Sequence, residues 1–187
     1  MRFFCILAAT AAVAATMSVP ASANHWWGGY RWAVTNGVLD VRVNAALTAT
    51  GGWQSYVDEA VTKDWEASTV LTLGAVRAVS ASPSKCNPIS GEVLICNYAY
   101  GQRGWLGIAS IWTDANGRIA KGTTKLNDSY FTMARYNTPA WKRLVACQEV
   151  GHDFGLGHQD EAFSNANLGT CMDYTNAPAG GILSGVN

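Results

Sequence analysis

The chain has 187 residues, with 13 basic and 13 acidic side chains and so no net formal charge. That length fits one domain with a full hydrophobic core, and a hydrophobic content of 49% is enough to fill it. The even charge balance gives no electrostatic footing for nucleic acid or an anionic membrane, and neither is expected as a partner.

Residues 1–23 read as a secretory signal peptide. Arg2 provides the positive start, an alanine-rich apolar run follows, and Ala21-Ser22-Ala23 is a small-residue cleavage site. The run is short for a membrane span and ends at Ser18 and Pro20. Residues 24–187 are then expected to form a single, secreted, monomeric domain, and Cys5 leaves with the leader. Cys86, Cys96, Cys147 and Cys171 remain. An even count in an exported chain implies disulfides, with three pairings open. Cys86–Cys96 is favoured because Asn87-Pro88 and Ser90-Gly91 are turn residues suited to a short loop. Cys147–Cys171 is its complement. A four-cysteine zinc site is a poor alternative, since no C-x-x-C spacing occurs.

The expected mature start, 24–32, is crowded with aromatic residues (Trp26, Trp27, Tyr30, Trp32). Such a segment is expected to dock its rings on the core or on a cleft rim, with a carbohydrate platform as the lesser alternative. His25, the one histidine outside 152–158, is the lesser alternative as a ligand, because chain termini are usually mobile. Alternating apolar residues at Val41, Val43 and Ala45 predict a half-buried strand over 38–47. Trp53, Tyr56, Val57, Ala60, Val61 and Trp65 keep helical spacing and predict a helix over 53–68. Branched residues predict strands over 70–79 and 93–100. Asn116-Gly117 marks a hairpin between strand-like runs 104–112 and 118–126. Asp114 and Asn116 belong to that turn; the remaining calcium ligands are missing from it. Thr138-Pro139 supplies an N-cap and a first-turn proline for a helix running into Gln148. This order predicts a mixed α/β (α+β) domain, with a twisted mixed sheet packed against two long helices.

That last helix leads into Gln148-Glu149-Val150-Gly151-His152-Asp153-Phe154-Gly155-Leu156-Gly157-His158. Residues four apart on a helix share a face, so Gln148 and His152 point the same way with Glu149 beside them. Gly155 and Gly157 would let the backbone turn and bring His158 back towards that face. Two imidazoles and a carboxylate meeting at one point suit a catalytic zinc site.

The run resembles H-E-x-x-H-x-x-G-x-x-H, the signature of the metzincin clan of zinc endopeptidases, at Glu149, His152, Gly155 and His158. Gln148 departs from it, standing where the first histidine belongs. Met172 lies 14 residues past His158 and Tyr174 two further on, similar to the methionine turn and neighbouring tyrosine of astacin-like members. Residues 122–127 are similar to the strand before the active-site helix in matrixin-like members. The resemblance implies a metzincin-like fold and a secreted endopeptidase that hydrolyses peptide or protein substrates with a metal-activated water. It implies Zn2+ held by His152 and His158, with Gln148 at the first ligand position. It also implies Glu149 as general base, Met172 as the floor of the site, and Tyr174 as an oxyanion donor or extra ligand. Residues 106–110 would be the edge strand that receives an extended peptide. Gln148 leaves three arrangements open: direct ligation with Tyr174 or Asp160 completing the shell, a ligating water held by the amide, or weak metal binding. An amide oxygen is a weaker zinc ligand than imidazole. The alternative function is a catalytically silent extracellular module that binds protein or glycan through the same cleft.

Overall fold

The computed structural model describes residues 25–178; the expected leader, 1–23, lies outside them. Five strands form one mixed sheet in the order β4-β2-β5-β7-β6: β2 (Arg42–Ala46), β4 (Arg77–Ala78), β5 (Glu92–Tyr98), β6 (Gly107–Thr113) and β7 (Ile119–Asn127). All neighbours are parallel except β6, which runs antiparallel to β7 at the sheet edge. β1 (Leu39–Asp40) and β3 (Leu71–Thr72) make a separate parallel pair. This is the mixed α/β architecture expected from the order of elements.

Two helices cover one face of the sheet. The first, α1 (Gln54–Glu59), continues as a π-helical segment through Ala60–Trp65, where the Glu66 N–H donates to the Val61 carbonyl. Of the predicted stripe, Trp53, Val57, Ala60, Val61 and Trp65 are buried, and Tyr56 is partly buried against them. After the short α2 (Asp128–Phe131), α3 (Pro139–Asp153) opens as expected: Thr138 Oγ1 accepts from the Trp141 N–H at 3.3 Å and Pro139 takes the first helical position. Leu144, Val145 and Val150 of α3 share a core with Val43, Val93, Ile95 and Leu126 of the sheet. The opposite face is capped at Leu94 by the loop that Cys86–Cys96 staples. Both favoured disulfides are formed, Cys147–Cys171 being the second.

Two expectations need correction. The run 70–79 is not one strand: Gly74 takes φ +65°, and the chain pairs with β1 before that turn and with β2 after it. The strand over 38–47 breaks into β1 and β2, and β2 is not half-buried. It lies between β4 and β5, with Val43, Asn44, Ala45 and Ala46 all buried. A strand inside a parallel sheet is covered on both faces, so its alternation is no guide to exposure. The Asn116-Gly117 turn joins β6 and β7 as expected, and Asp114 Oδ1 accepts from the Asn116 and Arg118 N–H groups instead of facing a cation.

Candidate metal centre

A cavity of about 780 Å³ opens between the edge strand β6 and the adjoining side of α3. Leu106 to Ala109 form one wall, Gln148, Glu149 and His152 the helix side, and His158 and Tyr174 the return from the C-terminal loop. The sequence run therefore closes on one place. Helix α3 ends at Asp153, and Gly155 then takes φ +91°; an added Cβ there would sit 2.2 Å from the Tyr30 carbonyl oxygen. Glycine is required at this turn on both counts.

The turn brings His158 Nε2 to 3.1 Å from His152 Nε2. His152 Nδ1 donates to the Leu156 carbonyl at 2.7 Å, which leaves the Nε2 lone pair of the neutral ring aimed at its neighbour. His158 Nδ1 lies 3.8 Å from the Glu161 carboxylate, so its Nε2 is the inward nitrogen as well. Two ligands at 2.0–2.1 Å on a tetrahedral zinc stand about 3.3 Å apart. The pair fits that spacing, and the outward hydrogen bond of His152 to the Leu156 carbonyl is of the kind that normally holds a ligating imidazole.

Electrostatics point the same way. Burial lowers the pKa of His152 to about 4, with the Leu156 hydrogen bond opposing and His158 assisting. Burial also lowers that of His158, against the pull of Glu161. Glu149 is buried against β6, and an added Cβ at Gly107 would fall 2.6 Å from its Cγ. Desolvation raises its pKa to about 8, partly offset by the Ala109 main-chain N–H. A divalent cation at the two Nε2 atoms favours neutral imidazoles and an ionised Glu149 together.

Gln148 is braced against the C-terminal loop. Its Nε2 donates to the main-chain carbonyls of Cys171 at 3.0 Å and Asp173 at 3.1 Å. Both amide hydrogens are committed to the methionine-containing turn, and Oε1 is the atom left to offer a metal or a water. Met172 is buried in the core against Gly151 and Trp65, beneath the helix turn that carries His152. The Tyr174 ring lies 5.0 Å from the His158 ring and 5.1 Å from Phe163. Asp160 does not join the pair: its oxygens accept from the Ala162 N–H and from Asn165 Nδ2. Among the described residues, no three His, Cys, Asp or Glu side chains stand close enough to hold a metal. A third protein ligand at this pair must be an amide, a hydroxyl or a side chain that moves.

Further residues surround the site; Asp153 carries no local signal in the sequence, whereas Trp27 belongs to the aromatic segment expected to dock on the core or a cleft rim. Asp153, fully buried behind the site, accepts from Thr124 Oγ1 at 2.8 Å and leaves Oδ1 unpartnered among the described residues; burial raises its pKa well above the carboxylate range. The Trp27 ring packs on His152 with centroids 5.5 Å apart. Tyr130, Tyr136, Trp141 and Leu144 form an aromatic and apolar extension of the cavity, with Arg135 at its side. Trp141 and Leu144 lie three apart on α3 and so share a side, but spacing does not say that this side meets a cavity.

Compared with models of known protein families and with curated proteins, the chain matches none. The two imidazoles, the buried carboxylate and the cleft that holds them carry the functional reading.

Proposed function

We propose that this protein is a secreted zinc-dependent endopeptidase of metzincin type. The observation that carries the reading is the 3.1 Å approach of two inward, neutral Nε2 atoms beside a desolvated glutamate. Zinc bound there would polarise the scissile carbonyl and acidify a water. Glu149 takes the proton from the attacking water and returns it to the leaving amine; a pKa near neutrality suits a group that must do both. Gln148 holds the methionine-containing turn against α3 and presents Oε1 at the first ligand position. Tyr174 donates its hydroxyl hydrogen to the developing oxyanion. The peptide lies extended along the open edge of β6, where main-chain pairing aligns it. The two disulfides fit an oxidising compartment, and no helix among the described residues is long and apolar enough to cross a membrane.

The test is metal content of the purified protein, followed by peptide cleavage with and without a chelator. Stoichiometric zinc and chelator-sensitive cleavage that disappears in Glu149→Ala are the expected results. A folded protein that takes up no zinc and cleaves nothing refutes the enzyme. That outcome favours a silent binding module, for which the exposed rings of Trp26, Phe163 and Tyr174 around the cavity are the supporting feature.

A further inference from the structure

The chain has three histidines, and all three line the one cavity. We propose that His25, on the N-terminal segment, supplies the third imidazole nitrogen to the metal held by His152 and His158. This rests on the zinc reading above.

The segment that carries His25 is fastened to the end of α3 and the turn after it. The Gly157 N–H donates to the His25 carbonyl at 2.6 Å, Trp26 forms an antiparallel bridge with Leu156, and the Trp27 N–H donates to the Gly155 carbonyl at 2.9 Å. Further along, the Ile119 N–H donates to the Arg31 carbonyl at 2.8 Å and Trp32 Nε1 to the Asp153 carbonyl at 2.8 Å. The segment is a strap fastened across the end of α3. Its pairing sets His25 opposite Gly157, about 5 Å away across the ladder and next to His158 in sequence. His25 and Trp27 are each part-buried on either side of the exposed Trp26, and both line the cavity. Trp27 lies on His152, so this side of the strap looks onto the imidazole pair.

The three rings do not yet meet at one point. With its main chain held by Gly157, His25 closes the gap by rotating its side-chain torsions. The assignment accounts for the departure at Gln148. Gln148 gives up both amide hydrogens to Cys171 and Asp173, acting as a strut, while the missing nitrogen arrives from another part of the chain.

Proton NMR of the cobalt-loaded protein counts the ligating rings through exchangeable, paramagnetically shifted imidazole N–H signals. Three signals are expected. Two signals overturn the His25 assignment and leave the metal site standing, whereas failure to bind cobalt or zinc removes the metal reading itself. In zinc competition titrations, His25→Ala is expected to weaken binding at least about tenfold, a loss that changes around a metal's ligands already produce. His25→Phe, which keeps a ring in the strap, should weaken it equally; recovery of affinity in His25→Phe would make the role one of packing and overturn the proposal.

Discussion

Gln148 braces the C-terminal loop and, in the proposed site, also faces the metal, and its replacement measures both roles. In the structure its amide makes two buried hydrogen bonds, to the Cys171 and Asp173 carbonyls at 3.0 and 3.1 Å. Each such bond contributes about 1 kcal/mol net, and a buried carbonyl left unpaired costs about 1–3 kcal/mol. Gln148→Leu removes both donors at similar volume and is expected to destabilise the metal-free protein by about 2–4 kcal/mol. For a chain of this size that is a fall in Tm of roughly 4–16 °C. Gln148→His can restore only one donor, so it should lose about half as much stability. It gains a nitrogen on the metal side of the helix, and zinc binding should tighten at least about tenfold. Denaturant unfolding without metal reads the first effect and chelator competition the second. Unchanged stability in Gln148→Leu would show that the strut contributes nothing, and unchanged affinity in Gln148→His would put residue 148 outside the metal's reach.

The remaining expectations test the site and its supports. Glu149 has a folded pKa near 8 against an ordinary value of 4.5, so the folded state binds a proton that the unfolded state releases, and the contribution of this group to metal-free stability falls as pH rises from about 4.5 to 8. Glu149→Gln abolishes that loss, so the variant should exceed the parent in stability at pH 8 and match it below pH 4.5; identical pH profiles in denaturant titrations would contradict the burial. Gly107→Ala drives a methyl into the Glu149 side chain, and kcat/KM for peptide cleavage should drop at least ~100-fold with near-normal circular dichroism. Opening Cys147–Cys171 with paired serines frees a loop of separation 24 and should cost about 3.5 kcal/mol on the chain-entropy account, as read by unfolding under non-reducing conditions. As a control remote from the metal, Asp128→Ala strips acceptors from Trp53 Nε1 and Asn97 Nδ2, both at 2.7 Å, and should lower stability by about 2–4 kcal/mol while leaving zinc affinity unchanged.

Features governed by short-range physics could be read from the residues alone. Thr138-Pro139 opens α3 because a hydroxyl acceptor and a residue without an N–H suit a helix start, and helical spacing then sets Gln148, Glu149 and His152 on adjoining positions. Glycine at 155 permits the turn that returns His158, and turn residues between Cys86 and Cys96 make their pairing the economical one. Tertiary structure decided what depends on partners far along the chain. It split 70–79 between two sheets, placed β6 at the open edge beside Glu149, and assembled an aromatic wall from residues before and within α3. It also turned the amide of Gln148 towards carbonyls more than 20 residues away and strapped 25–32 across the end of α3. Periodicity reports which side of an element is apolar; the group that side meets is set by packing, and here packing brings the third histidine into the cavity that holds the other two.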